Sequence, residues 1–367
     1  MPPWFVPRRR AVCIPALLFC AAAALSAAKP AALKPTALEA IDQAVTTEMS
    51  RQSIPALSIA IATGGRLDWQ QGFGMADIEN SVPATAESVY RLGSISKPIT
   101  AVAVMQLVER GRLNLDAPIQ KYVPSFPEKP WPVTARLLLG HLSGIRHYKT
   151  GEMDSTRHYT NLTEPLKIFA GDPLLFEPGT RYQYTTYGYV LLGAAVEGAS
   201  GMKFMDYLRE NIFGPARMGH IEQDDVFDIV PHRVRGYRRD AAGRIRNCGL
   251  ADTSNKVPGG GLVSTPADLV AFATALNGGL LVSRTTLAQM YTSQKTRDGK
   301  PTNYGLGWSL TERDGRKWAS HTGAQQGATT LLLTLPSENL AIAVMSNLEG
   351  AQLRQLGDRI AQIVLAQ

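Results

Sequence analysis

The sequence predicts an α/β fold of the α+β kind: one antiparallel sheet built from both chain ends, flanked by helices, with a mainly helical lobe inserted. Three observations predict it. Strand-length apolar runs bounded by turn residues occur near both ends, over 56–73 and 306–346. The stretch between Leu113 and Asn277 carries helical spacing broken by many loops. The 367 residues, 44% of them hydrophobic, can bury a core large enough for one two-lobed unit or two domains.

The elements follow in order. Arg8, Arg9 and Arg10 precede the apolar run Ala11 to Leu25, and Ser26-Ala27-Ala28 supplies small residues for cleavage. Residues 1–28 therefore read as a secretory signal peptide, which implies a secreted or periplasmic protein without a stable membrane span. An uncleaved anchor and a mitochondrial presequence are the alternatives. Leu38, Ile41, Val45 and Met49 mark one stripe of a helix over 37–52. Two strands, 56–63 and 67–73, flank Gly64-Gly65, a hairpin signal. Val89 to Leu92 then leads into the Ser94 turn and a long amphipathic helix, Ile99 to Arg110. Helices are also expected over 189–198, 202–211 and 266–276, the last with Thr265 as cap and Pro266 in its first turn. Gly259-Gly260-Gly261 requires close backbone approach or positive φ. Strands return over 306–312, 317–321, 329–335 and 340–346, and a helix over 351–366 closes the chain. The sheet domain is thus expected from 29–93 plus 300–367, and the helical lobe from 94–299, as one catalytic unit.

The chemistry starts at Ser94-Ile95-Ser96-Lys97. A three-residue step at the start of a helix puts both side chains on one face, so the amine can reach the hydroxyl. The helix dipole favours a negative oxygen there. This is the layout of an activated serine nucleophile. The spacing alone is weak, since Ser26/Lys29 and Ser200/Lys203 repeat it; only Ser94 has a strong apolar helix directly behind it. Two further segments add to it. Tyr184-Thr185-Thr186 precedes an apolar helix, and Tyr184 can serve as a phenolate base if cationic neighbours lower its pKa. His321-Thr322-Gly323-Ala324 ends a strand, where a backbone N–H can stabilise an oxyanion and glycine permits close approach.

Taken in order, these three segments resemble the active-site serine penicillin-recognising family. That family includes class C β-lactamases, D-Ala-D-Ala carboxypeptidases and related esterases. The resemblance runs from about Leu38 to Ile363 and points to the mitochondrial serine β-lactamase-like branch and its bacterial relatives. Asp252-Thr253-Ser254-Asn255-Lys256 and Tyr304-Gly305-Leu306-Gly307-Trp308 support it. It implies a β-lactamase/transpeptidase-like fold, with Ser94 as acylated nucleophile and Lys97 and Tyr184 sharing the proton transfers. It also implies an oxyanion hole from the N–H groups of Ser94 and Ala324, and substrate contacts from Thr186, His321, Thr322 and Gly323. His141 and His147 are expected to be structural. Two positions depart from the pattern. Thr186 stands where Asn is usual, and His321 where Lys is usual; a neutral imidazole attracts a carboxylate less than an ammonium does. Peptide or ester hydrolysis is therefore expected ahead of β-lactam hydrolysis. Competing readings are a β-lactamase or carboxypeptidase, a binding or sensor module with poor turnover, and a self-assembling structural protein.

Other classes are set aside. No G-x-S-x-G elbow occurs, because Ser143 in Gly140-His141-Leu142-Ser143-Gly144 is one place late. The six histidines give no metal-ligand spacing, so neither metal nor cofactor is expected. The net charge of +7 includes the three leader arginines, and no nucleic-acid motif is present. The basic cluster from His232 to Arg239 reads as a solvated loop. Cys13 and Cys20 lie in the leader, leaving Cys248 alone and no disulfide framework. The expected partner is a small-molecule or peptide substrate, with the oligomeric state open.

Overall fold

Gly64 and Gly65 take φ of 55° and 83°, which turns the chain tightly between its first two strands. That hairpin starts the sheet in a computed structural model that describes residues 32–367. The expected leader, 1–28, lies outside the described residues. The strands are β1 (Ala56–Thr63), β2 (Arg66–Asp77), β3 (Val82–Pro83), β4 (Tyr90–Arg91), β5 (Glu222–Gln223) and β6 (Tyr237–Arg239). They continue as β7 (Ile245–Asn247), β8 (Leu262–Ser264), β9 (Ser309–Arg313), β10 (Arg316–Gln325), β11 (Ala328–Leu335) and β12 (Leu340–Ser346). Seven form one antiparallel sheet in the order β3-β2-β1-β12-β11-β10-β9, so N-terminal and C-terminal strands meet at β1 and β12. The expected fold class is the one observed.

The helices are α1 (Pro35–Gln52), α2 (Ser96–Glu109), α3 (Ala135–Leu139), α4 (Thr163–Leu166), α5 (Thr186–Ser200) and α6 (Phe204–Leu208). After them come α7 (Gly214–Ala216), α8 (Val257–Gly260), α9 (Pro266–Asn277), α10 (Arg284–Met290) and α11 (Arg354–Leu365). Leu57, Ile59, Ile61, Ile342 and Val344 join the core cluster that holds Ile41 of α1 and Ile360 of α11. Ala60, Ala62, Ala343 and Met345, on the opposite face, join the cluster that holds Leu269 and Phe272 of α9. Both faces are covered, so β1 and β12 read as continuous apolar runs rather than alternating ones. Smaller side chains face α9 and larger ones face α1 and α11.

Two expectations need correction. The helix after Ser94 is not amphipathic: every residue from Ser96 to Leu107 is buried, which makes α2 a central helix packed on all sides. The β10 strand does not end at His321 but runs on to Gln325, because β11 pairs with it throughout. The mainly helical insert also holds short strands. It contributes β8, paired on both sides by β4 and β5, and the hairpin of β6 and β7. These strands have two or three residues each, too short for a periodic signal. The Gly259-Gly260-Gly261 segment meets its requirement by close approach, not positive φ. A Cβ on Gly259 would lie 2.6 Å from Thr186 Cγ2, and one on Gly261 would lie 2.7 Å from Thr253 O.

No helix among the described residues is long and apolar enough to cross a membrane.

Candidate active site

Gly93 takes φ of 51° and starts a single 3-10 turn, Gly93–Ile95, that carries Ser94 into α2. Only glycine suits this position: a Cβ there would sit 2.8 Å from both the N and the O of Ala324. Those two distances put the backbone N and O of Ala324 against the nucleophile turn. The strand β9 pairs β10 only over Arg316–Ser320, so this edge of β10 is left open beside Ser94. Gly323 is pressed as tightly, since its Cβ would meet Leu92 O at 1.9 Å. The Leu92 carbonyl is held in turn by the Thr330 hydroxyl at 2.8 Å.

Lys97 lies one turn behind Ser94, fully buried. Its Nζ is 3.0 Å from Ser94 Oγ, 3.2 Å from Thr186 Oγ1 and 2.6 Å from the Gly259 carbonyl. It also faces the Tyr184 ring at 4.8 Å. Burial, with the Lys256 charge adding to it, holds the Lys97 amine well below the ordinary lysine range. A neutral amine has two N–H donors and one lone pair. The donors match Gly259 O and Thr186 Oγ1, which leaves the lone pair for the Ser94 O–H.

Tyr184 hydrogen-bonds Ser94 through its hydroxyl, but its pKa moves the opposite way from the condition set for a phenolate base. Burial raises it above the ordinary tyrosine range, and the bond to Ser94 only partly offsets this. Lys97, the neighbouring amine, has its own pKa lowered by burial. Tyr184 is therefore a phenol that can relay a proton.

The turn carrying Tyr184 is pinned by two histidines. Thr185 N–H donates to His141 Nδ1 and Thr186 N–H donates to His147 Nδ1, each at 3.2 Å. Thr185 caps α5 by accepting the Gly188 N–H, and donates its own hydroxyl to Arg146 O at 2.6 Å. Burial keeps both imidazoles neutral, His141 well below its usual value and His147 at about 4. Both thus act as acceptors that satisfy first-turn N–H groups of a helix.

The third segment alternates along β10. Thr322 and Ala324 are exposed, whereas His321 and Gly323 are buried. His321, expected to face the substrate, is buried with both ring nitrogens bonded within the protein. Its Nδ1 bonds the Thr322 carbonyl at 2.7 Å and its Nε2 bonds the Tyr304 hydroxyl at 3.0 Å. Strand alternation turns the ring inward, and burial lowers its pKa to about 3.

Sequence reasoning gave no role to Tyr148, Lys256 or Gly259. Lys256 is buried, donates to Met153 O at 2.6 Å and lies over the Tyr148 ring at 5.3 Å. The run Asn255-Lys256 ahead of three glycines was the available signal. The basic cluster is not simply solvated. Arg233 lies 3.4 Å from Asp224 and Arg235 lies 3.2 Å from Glu79, and both line a cavity of about 550 Å³ with Arg91 and Cys248.

A family model described as Beta-lactamase matches residues 41–366. The chain belongs to the beta-lactamase family. It is similar to human "Serine beta-lactamase-like protein LACTB, mitochondrial", at 32% identity over 379 aligned residues, covering 77% of this chain and 69% of the relative. The octameric penicillin-binding protein homologue from Pyrococcus abyssi superposes with a TM-score of 0.77 at 27% identity, covering 90% of this chain and 77% of that one. The D-amino acid amidase from Ochrobactrum anthropi shares the fold, with a TM-score of 0.78 at 24% identity, over 90% of this chain and 99% of that one. The chain is a β-lactamase-related serine hydrolase.

Proposed function

We propose that the protein hydrolyses ester or peptide bonds through an acyl-enzyme on Ser94, in the secreted or periplasmic space. The observation that carries this is the Lys97 amine, buried and 3.0 Å from Ser94 Oγ, with burial favouring its neutral form. Lys97 takes the Ser94 proton as Oγ forms a bond to the substrate carbonyl carbon. The resulting oxyanion is held by the N–H groups of Ser94 and Ala324. The C–O or C–N bond then breaks, and the leaving group receives the Lys97 proton through the Tyr184 hydroxyl. Water repeats the sequence in reverse and releases the acid. Thr322, exposed on the open edge of β10, hydrogen-bonds the substrate. Gly323 lets that strand come close, and Thr186 orients Lys97 rather than touching the acyl group.

The substrate class follows from His321. A neutral, internally bonded imidazole brings no positive charge to the third segment, which disfavours carboxylate-bearing β-lactams and D-Ala-D-Ala peptides. Initial rates on p-nitrophenyl esters, neutral-ended peptides and nitrocefin, with wild type and Ser94→Ala, test this. Faster turnover of nitrocefin than of the esters would overturn the substrate assignment. Failure of a fluorophosphonate to add covalently to Ser94 in the folded protein would overturn the acyl-enzyme.

A further inference from the structure

Lys256 is a second fully buried lysine in the same cleft, and the mechanism above does not use it. Its Nζ has one hydrogen-bond acceptor, Met153 O at 2.6 Å, and one aromatic face, Tyr148 at 5.3 Å. No carboxylate of the described residues forms an ion pair with it. Asp154, Asp224 and Asp252 act on it only at longer range, and Arg91 opposes them. A buried charge held this sparsely costs stability that an apolar side chain of the same length would not. Such a cost points to function.

The surroundings of Lys256 lead to Lys97 by two routes. The Tyr148 hydroxyl hydrogen-bonds Thr186, whose Oγ1 is 3.2 Å from Lys97 Nζ. Three residues after Lys256, the Gly259 carbonyl accepts from Lys97. The Lys256 stem also lies beneath the nucleophile turn. A Cβ on Gly260 would be 4.0 Å from Lys256 Cδ and 3.8 Å from the Gly93 carbonyl carbon. Asn255 assists by donating to Glu152 O at 3.1 Å, so residues 255 and 256 together grip the 152–153 turn. The other groups acting on Lys97 bring little charge. His141, His147 and His321 are neutral at pH 7, and Tyr184 and Tyr189 are un-ionised phenols. Among the described residues, Lys256 is the charged group that bears on the base.

We propose that Lys256 is a positioning residue for acylation: its buried ammonium keeps the Lys97 amine in the proton-accepting form while its bond to Met153 fixes the adjoining wall. This rests on the Ser94 acyl-enzyme reading. Its sign is fixed by electrostatics: removing a nearby positive charge makes the Lys97 ammonium easier to form.

The test is the pH–rate profile of p-nitrophenyl acetate hydrolysis for wild type, Lys256→Met, Lys256→Gln and Lys256→Arg, with Ser94→Ala as control. The acid limb of kcat/KM is expected to move to higher pH by about one unit in the Met and Gln variants, a roughly ten-fold loss at fixed acidic pH. Arg is expected to hold the limb within about 0.3 unit of wild type, because it keeps the charge. The pH dependence of fluorophosphonate labelling of Ser94 gives the same limb without turnover, and the Gln variant carries the comparison if Met at 256 does not fold. A limb that stays put in Met and Gln while only the plateau falls would make Lys256 merely structural. A limb that moves equally in Arg would overturn the charge argument. Undiminished activity in Ser94→Ala would instead sink the acyl-enzyme reading itself.

Discussion

The two walls of the cleft are built on opposite principles. The helical wall, from α2, α5 and the Gly259 turn, buries titratable side chains and leaves them few partners. Lys97 lies there with a lowered pKa, and no carboxylate of the described residues forms an ion pair with it. The strand wall, residues 321–324 of β10, shuts its titratable side chain away. His321 has both ring nitrogens occupied, while Thr322 and Ala324 are exposed. The contrast assigns proton transfer to the helices and hydrogen bonding without charge to the strand. A neutral group on the strand also spares the oxyanion site a competing ion.

The largest effects should come from the helical wall. Ser94→Ala should cost at least about 10⁴-fold in kcat/KM on p-nitrophenyl acetate, as loss of a nucleophile does. Lys97→Ala should cost roughly 10²- to 10⁴-fold. Lys97→Arg should be as poor as Ala, because a guanidinium stays protonated and cannot be a base. An Arg variant near the wild-type rate would move the base to Tyr184 and break the contrast between the walls.

Tyr184→Phe sharpens the division within that wall. As a proton relay, Tyr184 should matter in proportion to the basicity of the leaving group. A loss of roughly 10²-fold is expected on an alkyl ester or peptide, and a much smaller one on p-nitrophenyl acetate. Equal losses on both substrates would mean that Tyr184 serves the attack step instead.

The sequence disclosed these walls unequally. The β12 strand was legible to the residue, and β1 likewise, because apolar runs with flanking turns need no tertiary information. Ser94 and Lys97 were legible because their contact is local, three residues apart on adjoining turns. The extension of β10 past His321 was not, since its pairing with β11 comes from residues further along the chain. Nor was the lowered pKa of Lys97, or the raised pKa of Tyr184. Those depend on burial by α5 and α8, segments distant in sequence, and pKa follows surroundings rather than residue type. The same holds for Lys256, whose partners Met153 and Tyr148 lie on a separate loop.

On the strand wall, Gly323→Ala probes how closely β10 must approach. Its added methyl would meet Leu92 O at 1.9 Å, a backbone atom that cannot swing aside. The strand must move away from the Ser94 turn, which should cost about 1–3 kcal/mol of stability. It should also lower kcat by roughly ten-fold through a misplaced Ala324 N–H. Urea melts and initial rates measure the two losses. A variant with lowered stability but full kcat would show that the strand position does not set the oxyanion geometry.

The smallest effect tests whether His321 is truly sequestered. Its pKa is held at about 3 and that of His147 at about 4, both below the ordinary histidine value of 6.5. Between pH 6.5 and about 4 the unfolded chain therefore binds protons at these imidazoles that the folded chain does not. Stability is present in full above pH 6.5 and falls as pH drops through this window, by about 1 kcal/mol per pH unit for each histidine. Carboxylates held low, such as Asp172 and Glu152, act in the same direction only below their ordinary range, nearer pH 4. The melting temperature should thus decline from pH 6.5 to 4.5, before the carboxylates contribute. His321→Gln should flatten that decline while lowering stability at pH 7, where the bond to Tyr304 is lost. An unchanged slope in His321→Gln would mean that the imidazole is protonated in the folded state, and the strand wall would then carry charge after all.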